Sequence, residues 1–203
     1  MRPTSRPPSR RGSDPRRDAT VPPMRILIVV ASATGRTQRM AEAVAQGVAD
    51  AGADATLRSA EAATHADLLA ADAVIVGSGV HMGGIESPMR AFFERGAPLW
   101  IRGDLIGKVG AAFVTAGEGV GGGAELALLA LLANLAEHGM LLATMPNRLE
   151  GFGDAGCHWG PIAWTRPREG EAGPTPAHLV AARAHGRHVA ECTERWLAGR
   201  RSG

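Results

Sequence analysis

Six residues that follow an apolar segment have the side chains and the spacing to hold an anion. Hydroxyl groups recur around a glycine in this turn, which consists of Ser32, Ala33, Thr34, Gly35, Arg36 and Thr37. When a short turn leads into a helix, the first amides of the helix are unpaired and point to one place. Anions bind at such helix starts. The turn therefore indicates a phosphate site built from amides and hydroxyls.

The residues that this turn lacks narrow the class of ligand. A nucleoside triphosphate loop ends in Gly-Lys-Ser/Thr, whose lysine neutralises the β and γ phosphates. The only lysine of the chain is Lys108, which is far from the turn in sequence. The turn is therefore suited to one terminal monophosphate. Serine and threonine are also common helix caps, so the turn alone leaves phosphate binding and simple capping equally open.

Strands and helices must bring such residues together. Residues 26–31 form a short apolar run rich in β-branched side chains, which predicts a buried strand. Further strands are predicted at 55–59, 73–76, 109–115 and 140–144, and helices after residue 37 and at 87–95, 123–138 and 175–198. Five strands that alternate with helices predict an α/β fold with a doubly wound parallel sheet. Ligands of such sheets lie beyond the carboxyl ends of the strands.

Two further loops follow predicted strands at that edge. Residues 78–85 contain several glycines, which let the backbone approach a flat ring closely. Residues 115–123 contain Gly117, Gly119 and Gly122, which match the dinucleotide fingerprint Gly-x-Gly-x-x-Gly. That match is weak, because the fingerprint is expected in the first strand–helix unit. We expect the three loops to form one ligand site.

The motif Ser-x-Thr-Gly-x-Thr after the first strand resembles the FMN-phosphate loop of flavodoxin-like proteins. Residues 24–197 as a whole are similar to the WrbA family of NAD(P)H:quinone oxidoreductases. The resemblance implies a five-stranded flavodoxin-like parallel sheet in the order 2-1-3-4-5, with helices on both faces. It also implies FMN as cofactor, NADH or NADPH as electron donor, and two-electron reduction of a quinone. A homo-oligomer, either a dimer or a homotetramer whose flavin sites are completed by neighbours, is implied as well.

The resemblance also assigns residues to the cofactor. Besides the turn at 32–37, FMN would be bound by Val80, His81, Met82 and Gly83 of the second loop and by Thr115, Ala116, Gly117, Glu118 and Gly119 of the third. The family's Pro-Thr-Arg-Phe pattern in the second loop is replaced here by Gly-Val-His-Met, and the third loop is about two residues longer.

Two aromatic residues outside these loops acquire roles in the same way. Leu99-Trp100 before Gly107-Lys108 resembles the family segment Gly-Leu-Trp before Gly-Lys, so Trp100 corresponds to the substrate-facing tryptophan. His138 corresponds to the second histidine of the family's His-His-Gly-Met run, where it would contact flavin or substrate as a catalytic residue. Without the resemblance, Trp100 would be taken as a core residue and His138 as a residue favoured by the helix dipole.

Composition predicts one folded domain with a tail. The chain has 203 residues and 45% hydrophobic content, enough for a single core at 24–200. Residues 1–23 are rich in Arg, Pro and Ser and are expected to be disordered. Six arginines against two aspartates give this tail a charge of +4, which leaves −2 for the remainder of a chain at +2. The tail could bind anions weakly, act as a transit peptide, or precede a true start at Met24.

Charge and hydropathy exclude several classes of function. A domain at −2 is not expected to bind nucleic acid. Neither a secretory signal nor a membrane span is recognisable, and two isolated cysteines are typical of a reducing compartment. We therefore expect a cytoplasmic protein.

The sequence leaves open two other functions and one other candidate site. The chain could be a flavodoxin-like electron carrier, or a non-enzymatic module that binds a partner through the apolar helix at 124–136. His178, His185 and His188 lie at helical offsets, which could place imidazoles on one face. Because no Cys, Asp or Glu completes a ligand set, we expect a solvated face and no metal site.

Overall fold

The computed structural model describes residues 23–117, 123–165 and 172–201. In chain order these residues form β1 (Arg25–Ala31), α1 (Arg36–Asp50), β2 (Asp54–Ser59), α2 (His65–Ala70), β3 (Ala73–His81), β4 (Gly84–Ile85), α3 (Ser87–Arg95), α4 (Ala97–Arg102), β5 (Val109–Ala116), α5 (Gly123–Glu137), β6 (Leu141–Leu142), α6 (Phe152–Ala155), β7 (Gly156–Cys157), β8 (Gly160–Trp164) and α7 (Pro176–Arg201). The tail predicted to be disordered lies outside the described residues except for Pro23.

The centre of the molecule is a parallel sheet. Its strands lie in the order β2-β1-β3-β5-β8, and β1 pairs in parallel with both β2 and β3. Six of the seven residues of β1 are buried, as are all eight of β5, because helices cover both faces of the sheet. The predicted α/β class and the order 2-1-3-4-5 are confirmed.

The fifth position of the sheet differs from the prediction of one strand at 140–144. Only Leu141–Leu142 pairs there, with the first two residues of β5. The chain then leaves the sheet, and β8 returns to pair with the last three residues of β5. The fifth strand is thus divided in two. β8 begins with Gly160 and Pro161. Because both residue types are depleted in strands, the sequence pattern does not predict a strand there.

Alternate residues of β1 contribute to two cores. Leu27 and Val29 belong to one cluster together with α3 and α5 residues such as Phe92 and Leu131. Ile26 and Ile28 belong to the other, together with residues of α1 and α7. The apolar helix α5 therefore buries its main face inside the chain, where Leu128 and Leu131 are fully buried.

The histidines of α7 are not on a solvated face, and that prediction is wrong. His178 is 8% exposed, His185 is fully buried, and His188 is partly buried. A neutral imidazole can be buried where a charged group cannot, and the helical offset did not reveal which side of α7 faces the sheet. Among the described residues no group of three His, Cys, Asp or Glu side chains could hold a metal ion.

Candidate functional site

The turn after β1 presents open backbone amides. Gly35 precedes α1 with a left-handed φ of 78°, and no side chain caps the helix at that position. The amides of Thr34, Gly35, Arg36 and Thr37 donate to no group among the described residues. A Cβ at Gly35 would have no atom within 4 Å. The four amides are therefore unpaired at a helix start, and Gly35 borders free space there, which is favourable for an anion.

The hydroxyls of the turn are used in different ways. The Gln38 amide donates to Ser32 Oγ at 3.1 Å, so Ser32 does cap the helix from outside. Thr37 Oγ1 and Thr115 Oγ1 lie 2.7 Å apart in a buried hydrogen bond. Thr34 is exposed, and Arg36 is partly exposed. Capping and anion binding are therefore compatible, because one hydroxyl caps α1 while four amides stay open.

The second loop is a tight hairpin. Val80 pairs with Ile85 and His81 with Gly84 in antiparallel register. The two residues between them, Met82 at φ 49° and Gly83 at φ 78°, are both left-handed, as in a type I′ turn. Met82 is completely exposed. The loop predicted for residues 78–85 is thus mostly strand, and Met82 lies at its tip.

The third loop begins beside the second one. Gly79 of β3 is in register with Thr115 of β5. Thr115 and Ala116 are buried at the end of β5, where the Ala116 carbonyl accepts from the Thr165 amide and hydroxyl. Gly117 is partly exposed, whereas Glu118 and Gly119 lie outside the described residues. Thr37, Gly79 and Thr115 thus bring the three loops to one edge of the sheet.

A carboxylate that the sequence interpretation missed lies between these loops. Glu86 is only 7% exposed, and its Oε2 accepts from the Ala33 amide at 3.1 Å. Its own amide donates to Ser78 Oγ at 2.9 Å. Glu86 precedes α3 and its Pro88. In the sequence, Glu86 could have been noticed as a single acidic residue next to a glycine-rich loop.

The turn at 32–37 and the hairpin at 80–85 border a cleft of about 740 Å³, and no described residue of the third loop belongs to its lining. Of the predicted cofactor residues, the lining includes Ser32, Ala33, Gly35, His81 and Met82. Ser59 and Glu61, which follow β2, also line it, together with Glu86. No sequence pattern marked Ser59 or Glu61. The cleft is large enough for a cofactor, since ligand pockets span about 300–1,000 Å³.

His138 and Trp100 lie at the opposite edge of the sheet. His138 lines a small apolar cavity with Val74, at the beginning of β3, and with Gly96, just before α4. Trp100, on α4, is 50% exposed and so is not a core residue. A seven-residue strand such as β1 separates the two edges by about 20 Å. One chain therefore does not bring His138 or Trp100 to the turn at 32–37.

Burial changes the protonation of His138. Its Nδ1 is buried and has no hydrogen-bond partner among the described residues. Desolvation lowers the pKa of His138, and the Glu137 carboxylate offsets this only in part. The imidazole is therefore held mainly neutral near pH 7.

Comparison with known proteins identifies the family. A flavodoxin domain model matches residues 27–108. An NAD(P)H dehydrogenase (quinone) of Methylocella silvestris is 33% identical over 192 residues, which cover 82% of this chain and 96% of that protein. The chain belongs to the NAD(P)H dehydrogenase (quinone) family. A family member from Gluconacetobacter diazotrophicus is 37% identical over 147 residues, or 63% of this chain and 73% of that protein.

A solved structure agrees with this NAD(P)H dehydrogenase (quinone) assignment. The flavodoxin, WrbA-like protein from Agrobacterium tumefaciens superposes with a TM-score of 0.67 and 26% identity, covering 85% of this chain and 98% of that one. The resemblance to flavodoxin-like proteins and to WrbA is confirmed.

Proposed function

We propose that the chain is an FMN-dependent NAD(P)H:quinone oxidoreductase that reduces quinones by two electrons. The observation that carries the proposal is the row of open amides at Thr34–Thr37, at the carboxyl end of the first strand of a flavodoxin-type sheet. Ligands of such sheets bind where the strand order reverses, and β1 lies between β2 and β3 at that point. Relatives are named NAD(P)H dehydrogenase (quinone).

The turn fits the phosphate of FMN. Four amides and the Thr34 hydroxyl would donate to a monophosphate, and Arg36 makes no ion pair with any described residue. The open space beside Gly35 would accommodate the anion. The hairpin residues Val80 to Gly83 and the segment Thr115 to Gly119 would then flank the ring.

When bound, FMN would supply the redox chemistry, which is to accept a hydride from NADH or NADPH and to pass both electrons to the quinone. The protein supplies position. The amides hold the phosphate end, and the bond between Thr37 and Thr115 keeps the turn aligned with the third loop. Met82 at the hairpin tip would shield the flavin from water.

His138 and Trp100 would act on the site of a neighbouring copy. Their position at the opposite edge of the sheet favours this arrangement. Exposed apolar side chains nearby, among them Ile101 at 74% and Ile106 at 68%, suit self-association into a dimer or tetramer. Trp100 would stack on the quinone, and the neutral His138 would donate a hydrogen bond to it.

We further propose that the protein acts in the cytoplasm. None of the helices in the described ranges is long and apolar enough to cross a membrane. The substrates of the proposed reaction are small molecules, with no membrane or nucleic-acid partner.

Reconstitution tests the proposed function. Purified protein mixed with FMN should develop a bound-flavin spectrum, and NADH or NADPH oxidation followed at 340 nm should then depend on added benzoquinone. Flavin binding without this oxidation would favour a one-electron carrier. Absence of flavin binding would refute the proposal and favour a non-enzymatic module.

A pair of glycine variants localises the flavin. Gly35→Ala places a Cβ in the open space and strains a left-handed residue, so FMN binding should fall at least about tenfold. Gly153→Ala serves as the matched control, because its Cβ also meets nothing within 4 Å but lies in α6. Equal FMN affinity in the two variants would contradict the assignment of the turn.

A further inference from the structure

Glu86 places a negative charge at the border of the phosphate turn, which consists of residues 32–37. Its carboxylate accepts from the Ala33 amide, at 3.1 Å from Oε2 and 3.4 Å from Oε1. The next four amides along the chain, from Thr34 to Thr37, are open. One amide of the anion-binding turn is therefore already occupied by an anion that belongs to the chain.

The position of this carboxylate is built into the fold. A Cβ at Gly79 would lie 2.1 Å from Glu86 Oε1, so a larger residue there would displace the end of the Glu86 side chain. The backbone of Glu86 is fixed by the bond from its amide to Ser78 Oγ, which is itself fully buried. His81 Nε2 lies 3.4 Å from Oε1. With 7% exposure, the carboxylate has little solvent to screen it.

Two anions at this distance repel each other. A phosphate held by the Thr34–Thr37 amides would be next to the carboxylate that accepts from the Ala33 amide, and burial of Glu86 limits the screening of its charge by water. Riboflavin, which has the same ring and ribityl chain without the phosphate, would not experience this repulsion.

We propose that Glu86 is a built-in anion of the phosphate turn that opposes the flavin phosphate and keeps bound FMN exchangeable. The proposal rests on the proposed function, since it concerns how the same site holds FMN. Glu86 then sets the affinity for the phosphate and reduces the preference for FMN over riboflavin.

The test compares two flavins and two isosteric variants. Glu86→Gln removes the charge while an amide oxygen can still accept from Ala33. Glu94→Gln is the matched control, because it removes the same charge from an exposed position on α3 that does not line the cleft. Dissociation constants for FMN and riboflavin are measured by quenching of flavin fluorescence. Circular dichroism and thermal unfolding establish that each variant is folded.

The expected result is selective. Glu86→Gln should bind FMN about tenfold more tightly, with riboflavin affinity unchanged, and Glu94→Gln should behave as the wild type. Unchanged or weaker FMN binding in Glu86→Gln overturns the proposal. So does an equal gain for FMN and riboflavin, or an equal gain in the Glu94→Gln control.

Inorganic phosphate separates this proposal from the proposed function. If the wild type and both variants bind no FMN, the proposed function fails, and phosphate is titrated against the amide NMR signals of Ala33–Thr37. Tighter phosphate binding by Glu86→Gln then upholds the role of Glu86. Equal phosphate binding by the wild type and Glu86→Gln overturns it.

Discussion

At the scale of single residues, the bond between Thr37 and Thr115 connects two of the three loops. Both side chains are buried, at 2% and 5% exposure, and their hydroxyls lie 2.7 Å apart. Thr37→Val removes one partner and leaves the Thr115 hydroxyl buried and unpaired. We expect a loss of about 1–3 kcal/mol in the free energy of unfolding.

Urea unfolding of a double-mutant cycle measures this contribution. The double variant with Val at 37 and 115 should recover part of the loss, because no hydroxyl is then left unpaired. Losses that simply add in the double variant would show that the two hydroxyls do not interact.

His185 makes the folded state sensitive to acid. Burial lowers the pKa of His185 to about 3, the nearby His188 acts in the same direction, and the backbone of Ala112 opposes them. The unfolded chain has a histidine pKa near 6.5. Stability from this site is therefore complete above about pH 6.5 and falls as the pH drops towards 3. At pH 5 the loss should be about 2 kcal/mol.

An apolar replacement isolates this effect. His185→Leu cannot be protonated, so its free energy of unfolding should change between pH 7 and pH 5 by about 2 kcal/mol less than that of the wild type. Urea titrations at both pH values provide the measurement; parallel slopes for His185→Leu and the wild type would contradict the account.

At the scale of elements, α1 and α7 cross at glycines. A Cβ at Gly47 would lie 1.9 Å from the Arg183 carbonyl oxygen, and one at Gly186 would lie 2.1 Å from that of Val44. The backbones are therefore in direct contact, and Gly186→Ala would force the helices apart. We expect a loss of at least about 2 kcal/mol, as for other overpacked cores, measured by thermal and urea unfolding.

The same helix provides the control for this prediction. Gly199 lies in α7 with nothing within 4 Å of its Cβ position. Gly199→Ala should be neutral or stabilising by up to about 1 kcal/mol, because alanine favours the helix. A similar loss in both variants would show that the effect at Gly186 does not come from the contact between the two helices.

The elements that could be predicted from the sequence are those marked by a pattern of neighbouring residues. β1, β3 and β5 are continuous apolar runs, and Pro88 marks the start of α3, so their positions and the edge at which the loops meet were predictable. The hairpin was not, because Met82 has a left-handed backbone that its side chain does not favour. Glu86 was missed since its partner Ala33 is 53 residues away, a distance that no local pattern spans.

At the scale of the whole molecule, the two sets of candidate site residues lie at opposite edges of the sheet. The turn at 32–37 lies at the carboxyl ends of the strands, whereas His138 and the Gly96 carbonyl that accepts from the Trp100 amide lie near their amino ends. Under the proposed function, a complete quinone site then needs two copies of the chain, with FMN on one copy and the tryptophan and histidine on the other. FMN binding and quinone reduction should therefore have different requirements for assembly.

A charged substitution on the exposed apolar surface of α4 tests whether quinone reduction needs assembly while FMN binding does not. Ile101 is 74% exposed, so Ile101→Asp should leave the folded chain intact but oppose self-association, because a charge would be buried between copies. Sedimentation should show monomers that bind FMN as the wild type does yet reduce quinone at least about tenfold more slowly. Ile101→Val keeps the surface apolar and should assemble and react normally. Fully active monomers would instead require that His138 and Trp100 have no part in the reaction, because within one chain they cannot reach the turn that is proposed to hold the phosphate.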